Sequence, residues 1–175
     1  CDFPKYWEQL NVAGATLPDC ETLAPEAPAS DYAEQYLVDP SKGSDTPSCG
    51  TLAAPCQTIA YALERCGSSN CEVQLEFGQY QLTSTLQLRD GASIIGGYDN
   101  GIRNSTYQSL ILPAAGQLPL QGSGLNSRTN LENLMVNGPE VSTAGGASVI
   151  LQLSDSPNLH FAQSRLVGGR AAPGP

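Results

Sequence analysis

Short stretches that alternate between apolar and polar residues dominate the chain from residue 36 onward. Residues 73–77 follow this pattern, and alternation with a period of two predicts a strand that is buried on one face. Residues 36–38, a short apolar run that ends at Asp39-Pro40, are also predicted to be a strand. Residues 56–65 instead carry apolar side chains at the i, i+3 and i+4 spacing of a helix, at Ile59, Ala62 and Leu63. Pro55 suits the first turn of that helix, and Gly67 suits its end. The pattern therefore predicts a strand, a short helix and a second strand.

A repeat occupies the second half of the chain. Similar segments begin at Leu86, Leu118 and Leu151, at spacings of 32 and 33 residues. Each is preceded by a short apolar stretch (73–77, 109–112, 148–150), followed by another (93–95, 131–134, 159–161), and closed by a glycine turn (96–97, 137–138, 168–169). One unit is about three short strands without a helix, and such a unit buries its apolar face only by stacking on its neighbours. The repeat predicts an all-β solenoid, specifically a parallel β-helix.

Charge is distributed unevenly along the chain. The 175 residues contain 8 Lys and Arg against 17 Asp and Glu, and nine of the acids but only two of the bases fall within residues 1–45. We predict an extended acidic arm or linker over residues 1–34, a β-helix with an N-terminal cap over 35–170, and a tail or linker to a further C-terminal region over 171–175. The net charge of -9 argues against a nucleic-acid partner. No apolar run has the length of a membrane span.

Six cysteines indicate an oxidised, extracytoplasmic protein, either secreted or anchored at a bacterial cell surface or outer membrane. Two disulfide candidates join cysteines that are close in sequence: Cys49 with Cys56, and Cys66 with Cys71. The chain begins at Cys1, as a chain does after removal of a signal peptide. Two alternatives stay open here. In the first, Cys1 carries a lipid anchor and Cys20 has no disulfide partner. In the second, Cys1 and Cys20 form a third disulfide.

The order of motifs over residues 36–80 resembles a known family. The motifs are Tyr-Leu-Val-Asp-Pro-Ser-Lys-Gly-Ser-Asp at 36–45, Gly-Thr at 50–51, Pro55, Thr-Ile-Ala-Tyr-Ala-Leu at 58–63, Val-Gln-Leu at 73–75 and Gly-Gln-Tyr at 78–80. This arrangement is similar to the N-terminal capping segment of right-handed parallel β-helix proteins of the pectin-lyase-like superfamily, in particular secreted or surface-anchored bacterial ones. The resemblance implies a β-helix of about three rungs over residues 36–170. It also implies that the helix at 56–65 covers the open apolar end of the stack.

Enzymes of that superfamily cleave or modify acidic polysaccharides with clustered aspartates, often beside calcium and a basic residue, or with a Gly-His-Gly turn. The sequence contains no such cluster, and its single histidine, His160, lies between two apolar residues. Asp90 and Asp155 fall at equivalent positions of the repeat. Two strand spacings place them about 10 Å apart, beyond the range of about 5–9.5 Å that glycosidase pairs occupy. We expect both to cap turns, and we predict no catalytic residue and no cofactor.

Asp39 and Asp45 border the loop that follows the first predicted strand, and they are the candidate calcium ligands of the chain. A calcium site needs six or more oxygen ligands, whereas this loop supplies two carboxylates. A structural role for the loop is therefore the favoured interpretation.

These observations predict a non-catalytic structural or interaction subunit of a cell-surface or membrane-associated assembly. The chain shows no helix that would cap its last rung, so we expect a protein partner or further chain to cover that end. Two alternatives are a polysaccharide lyase or hydrolase and a glycan-binding adhesin. The adhesin would need exposed aromatic rings, for which Tyr98 and Tyr107 are the candidates.

Overall fold

The computed structural model of the chain describes residues 31–67 and 70–172, which are mostly β with one short helix. In chain order the elements are β1 (Glu34–Val38), α1 (Ile59–Arg65), β2 (Cys71–Glu76), β3 (Gln79–Gln81), β4 (Leu86–Gln87), β5 (Ala92–Asp99), β6 (Ile102–Arg103), β7 (Ser109–Leu112), β8 (Leu120–Ser123), β9 (Thr129–Glu132), β10 (Leu134–Asn137), β11 (Val141–Ala144), β12 (Leu151–Ser154), β13 (Leu159–Ala162), β14 (Arg165–Val167) and β15 (Ala171–Ala172).

Three sheets of parallel strands make up most of the fold. Sheet 1 has the strand order β1-β2-β5-β9-β13, sheet 2 the order β3-β7-β10-β14, and sheet 3 the order β4-β8-β12. Strands β11 and β15 form a further parallel pair. In the part of the chain that the structure describes, the pairing of β5 with β6 is the one antiparallel pairing between strands. The sheets do not close into a barrel.

The chain runs through these sheets in a fixed order, and we call one such run a pass. The first pass is β2, β3 and β4, the second β5, β7 and β8, the third β9, β10 and β12, and the fourth β13 and β14. Each sheet carries one apolar row in register: Val73, Ile94, Leu131 and Phe161 on sheet 1, Tyr80, Ile111, Val136 and Leu166 on sheet 2, and Leu86, Leu120 and Leu151 on sheet 3. The buried members of these rows form a single core together with the apolar side of α1.

Helix α1 lies within the predicted segment 56–65 but begins three residues later, at Ile59. The residues before it are held in a non-helical arrangement. Cys56 pairs with Val38 in an isolated parallel bridge, and the carboxylate of Asp45 accepts the backbone N–H groups of Gln57 and Thr58. Thr58 is the N-cap, and its hydroxyl oxygen accepts the N–H of Tyr61.

The predicted alignment of the repeat is wrong by two residues in its middle unit. Leu86 and Leu151 both pair in register with Leu120, not with Leu118. The reason is Pro119, which has no N–H to donate to a strand ladder and therefore comes before β8 rather than inside it. The residue equivalent to Asp90 and Asp155 is consequently Gly124. The predicted alignment, which starts the middle unit at Leu118, places Gly122 there instead.

Three further predictions about the repeat are wrong. Residues 148–150 do not form a strand, since β12 begins at Leu151. Gly96 and Gly97, predicted as a turn, lie inside β5. Residues 73–77, aligned in the predicted repeat with 109–112, belong to a different sheet. Val73 pairs with Ile94 in sheet 1, whereas residues 109–112 form β7 of sheet 2. Alternation of apolar residues locates strands, but it does not reveal which sheet each strand joins.

The segment boundaries differ from the predicted ones at both ends. Glu34, the last residue of the predicted arm, is the first residue of β1, and the rest of that arm up to residue 30 lies outside the described residues. Two residues of the predicted tail form β15. Over residues 31–67 and 70–172, the structure contains no helix with the length and apolar character needed to cross a membrane.

Candidate functional site

Four of the predicted site cysteines form two disulfides, Cys49 with Cys56 and Cys66 with Cys71, as the short sequence spacings predict. All four are buried in the main core. One bridge closes the loop before α1, and the other joins the residue after α1 to the start of β2. Two disulfides are compatible with an extracytoplasmic location. Cys1 and Cys20 lie outside the described residues.

The calcium candidates Asp39 and Asp45 are both occupied by donors of the protein. Asp39 accepts hydrogen bonds from the N–H and hydroxyl of Ser41 and from the N–H of Lys42, whose ammonium lies 3.7 Å from the second carboxylate oxygen. Burial alone would raise the pKa of Asp39, but the Ser41 and Lys42 hydrogen bonds and the nearby ammonium outweigh it and lower that pKa below its ordinary value.

Asp45 organises the approach to α1 in the same way. One of its carboxylate oxygens accepts two backbone N–H groups, from Gln57 and Thr58, and the other accepts the Thr58 hydroxyl at 2.8 Å. Across the described residues there is no group of three or more His, Cys, Asp or Glu side chains that could hold a metal ion. The loop geometry thus fits a structural role for both aspartates.

The residues weighed for catalysis are dispersed. Asp90 accepts the backbone N–H and the hydroxyl of Ser127 from the following pass, whereas Asp155 occupies a left-handed backbone position with φ 45°. Arg89 donates to the carbonyl oxygens of Leu63 and Glu64 at the C-terminal end of α1, where a cation is favourable. His160 pairs in register with Asn130 on sheet 1. None of these contacts places an acid beside a base.

The terminal strands of the three sheets expose apolar residues whose in-register neighbours are buried. Phe161 is 42% exposed and Leu166 is 46% exposed, while Leu131 and Val136, their partners one pass earlier, are fully buried. Leu153 of β12 is 41% exposed and pairs in register with Gly122. Strands β12, β13 and β14 are also the terminal strands of their sheets. We call Leu153, Phe161 and Leu166 the C-terminal face, and it combines exposed apolar side chains with three strand edges that have no partner strand within residues 31–67 and 70–172.

Two adjoining open hollows, of about 370 and 290 Å³, lie beside this face and share Ala115, Glu140 and Arg170 in their linings. Backbone hydrogen bonds join Gly116 to Glu140 and Val141 to Arg170, so the shared residues come from successive passes. Glu140 is the one carboxylate that lines either hollow. A hydrolase that acts through paired carboxylates would need a second one here.

The two aromatic candidates differ in accessibility. Tyr98 is buried, and its hydroxyl donates to Glu72, so it cannot offer a ring face to a sugar. Burial first, and then the bond to Glu72, raises the pKa of Tyr98. Tyr107 is partly exposed and lies against Phe77, with 5.0 Å between ring centroids. The alternation over 73–77 predicts Phe77 on the buried face of the strand, and this is wrong: β2 ends at Glu76, and Phe77 is exposed.

No protein-family model, curated protein or solved structure matches this chain. The geometry of its own surfaces is therefore the basis for assigning a role. Of those surfaces, the C-terminal face is the one at which register positions that are buried in the inner strands become exposed.

Proposed function

We propose that this protein is a non-catalytic, extracytoplasmic interaction subunit of a cell-surface assembly, and that its C-terminal face is the assembly surface. The observation that carries the proposal is the change in exposure along the apolar rows. The same register positions that are fully buried in inner passes become about half exposed in the last one. Residues selected to face solvent would be polar there.

The proposed scaffold is a right-handed parallel β-helix of the pectin-lyase-like type. Its support is the topology: successive passes enter the three sheets in one order, nearly all strand pairings are parallel, and the strands are short. In such a stack each rung contacts only its neighbours. The fourth pass thus lacks the neighbour that covers every earlier one.

Helix α1 is proposed as the cap of the opposite end. It contacts β1 and β2, the first two strands of sheet 1, and β4, the first strand of sheet 3, and it buries Ile59, Ala62 and Leu63 in the core. The Arg89 hydrogen bonds to the last helical turn fasten α1 to the first pass. A cap at one end and bare edges at the other make association through the C-terminal face the natural arrangement.

The proposed occupant of that face is a protein partner, or a further chain segment, that adds β-strands to β12, β13 and β14. Strand addition would satisfy the free backbone groups of the three edges and would bury the exposed leucines and phenylalanine. The proposed location outside the cytoplasm rests on the two buried disulfides. Attachment to a membrane through a lipid on Cys1 is part of the proposal.

A native-mass measurement on the protein from its own envelope fraction tests this function. We expect the wild-type protein in a particle larger than the 18.3 kDa chain, and we expect Phe161→Ser and Leu166→Ser to release free chain. Val149→Ser, at an apolar position of similar exposure (47%) outside β12, β13 and β14, is the matched control and should stay in the particle.

Two results would overturn the proposal. One is a wild-type chain that is free under native conditions and equally stable with or without the substitutions. The other is release of unsaturated or reducing ends from polygalacturonate or another polyuronate by the purified protein, which would establish the polysaccharide-active enzyme instead.

A further inference from the structure

A second surface, separate from the C-terminal face, is built by an insertion between β5 and β7. The turn at residues 99–102 reverses the chain into β6, and its two central residues, Asn100 and Gly101, have φ values of 50° and 74°. Positive φ at both positions defines the tight hairpin turn that Asn-Gly favours. Insertions in repeat proteins project as loops on one face, which often serves for binding.

Four exposed apolar side chains gather around this hairpin, and we call them the hairpin patch: Leu52, Phe77, Ile102 and Tyr107. Their exposed fractions are 61%, 61%, 74% and 39%, respectively. Leu52 borders Gly101, because a Cβ on that glycine would lie 3.4 Å from the leucine side chain. Phe77 contacts Tyr107, and Ile102 pairs in register with Asp99.

The hairpin patch is held rigidly. The carboxylate of Glu76 accepts the N–H groups of Asn100 and Gly101, at 2.9 and 2.7 Å, and thereby fixes the hairpin turn to the end of β2. On the other side, Leu52 lies in the loop that the Cys49–Cys56 disulfide closes. A surface that is already ordered loses little conformational entropy when it binds.

We propose that the hairpin patch binds a protein partner that presents an apolar side chain next to a lysine or arginine. Exposed apolar patches mark interaction sites, and the aromatic residues that supply two of these four side chains are enriched in protein interfaces. Asp99 and Glu76 give the rim of the patch negative charge, while Arg103, the cation of the hairpin, is already paired with Glu132. The charge of the patch therefore complements a basic partner.

The same observations disfavour three other occupants. A sugar would place hydroxyl groups against Leu52 and Ile102, which offer no hydrogen bonds in return. An anionic membrane would be repelled by Asp99 and by the chain's net charge of -9. A second copy of the chain would bring the two Asp99 carboxylates and two equally acidic proteins together.

The test uses the full chain and defined probes. Calorimetric titration and amide chemical shifts would be recorded with the peptide Lys-Leu-Lys-Phe-Lys, with its charge-reversed counterpart Glu-Leu-Glu-Phe-Glu, and with maltohexaose. We expect the basic peptide to shift the amides of the hairpin patch. We expect Phe77→Ser and Ile102→Ser to weaken its binding about tenfold, the effect of removing a hot-spot side chain.

Two controls sharpen the result. Leu166→Ser, on the C-terminal face, should leave binding of the peptide unchanged, and Asp99→Asn should weaken it about threefold at low salt. The proposal is wrong if the wild-type chain does not bind the basic peptide, if both peptides bind equally, or if Phe77→Ser binds like wild type. Shifts at the patch with maltohexaose alone would assign it to glycans instead.

Discussion

Acidic side chains in this protein act mainly by fixing loops. Asp39, Asp45 and Glu76 each accept two backbone N–H groups, and Asp90 accepts an N–H and a hydroxyl from the next pass. Loops of short strands leave many amide groups without ladder partners, and a carboxylate satisfies two of them at once. The short-range case, Asp39 with Ser41, is legible in the sequence as an aspartate-led turn. The Asp45 contacts join residues twelve and thirteen positions apart, and no local sequence pattern predicts them.

Asp45→Ala removes three hydrogen bonds from the start of α1 and leaves the N–H groups of Gln57 and Thr58 without that partner. We expect the free energy of unfolding to fall by about 1–2 kcal/mol, the cost of losing a helix cap of this kind. Chemical denaturation monitored by circular dichroism measures the change. Glu64→Ala, at an exposed position of α1, is the control, and an equal loss there would contradict this role of Asp45.

Asp39 makes stability depend on pH at the acid end. Its pKa in the folded protein is lower than the ordinary 3.8, so its contribution to stability is complete above that pH and disappears as pH falls through the folded value. Asp39→Asn should therefore be less stable than wild type at neutral pH. The difference should shrink as pH falls through the lowered pKa of Asp39, because the protonated carboxyl is uncharged like the amide of Asn. Unfolding midpoints measured across this range check the sign, and a difference independent of pH would refute it.

At the scale of elements, one side chain on β3, that of Tyr80, connects strands of two different sheets. The hydroxyl of Tyr80, on β3, lies 2.9 Å from the carbonyl oxygen of Val38 and 2.8 Å from that of Glu76. It thereby connects the ends of β1 and β2 to sheet 2. Alternation in the sequence predicts the apolar row that contains Tyr80. The hydrogen bonds of the Tyr80 hydroxyl, in contrast, depend on where sheet 2 lies relative to sheet 1.

Tyr80→Phe keeps the buried ring and deletes this connection. We expect the free energy of unfolding to drop by about 1–3 kcal/mol, because buried carbonyl oxygens lose their hydrogen-bond donor. Tyr107→Phe removes a hydroxyl from a partly exposed ring and should change stability little. Thermal unfolding of both variants compares the two positions, and similar values would show that the Tyr80 hydroxyl carries no structural weight.

Gly43 permits the loop after β1 to pack against the segment before α1. A Cβ at this position would lie far inside van der Waals distance of the carbonyl oxygens of Cys56 and Asp39. Gly43→Ala should therefore destabilise the protein more than Gly116→Ala, where a Cβ meets nothing although φ is 71°. Denaturation midpoints of the two variants decide this, and the reverse order would mean that the loop yields easily.

Periodicity predicted the element types well and their partners poorly. β1, β2, β7 and α1 lie where apolar spacing places them, because spacing depends only on which face is buried. The predicted alignment of the middle repeat was wrong by two residues because leucines flank Pro119 on both sides. The apolar pattern alone does not indicate which of the two leucines starts the strand. The dipeptide Asn100-Gly101 is a local sequence signal for the β5–β6 hairpin turn. Exposure of Phe77 and burial of Tyr98 follow from packing between distant segments, which no local pattern encodes.

At the scale of the whole molecule, we propose that the described residues form a stack that α1 covers at one end and that is open at the C-terminal face, with the hairpin patch as a separate surface. Stacked passes bury each other, so their stability comes from neighbours, and an uncovered last pass leaves apolar rows and strand edges available. The sequence predicted an open end from the absence of a closing helix. It did not predict the hairpin patch, because Leu52 borders Gly101 and Phe77 lies against Tyr107 only once distant segments of the chain have packed together.

The proposed place of this subunit at a membrane depends on Cys1 and is decided by intact mass before and after reduction. The two disulfides of the core leave Cys1 and Cys20 to be accounted for. We expect the N-terminal peptide of the native protein to exceed its sequence mass by several hundred daltons, the weight of acyl chains, and the protein to partition with membranes. Cys1→Ser should then abolish both. An unmodified chain whose mass increases by six hydrogen atoms on reduction, two for each of three disulfides, would instead identify a Cys1–Cys20 bridge and a freely secreted protein.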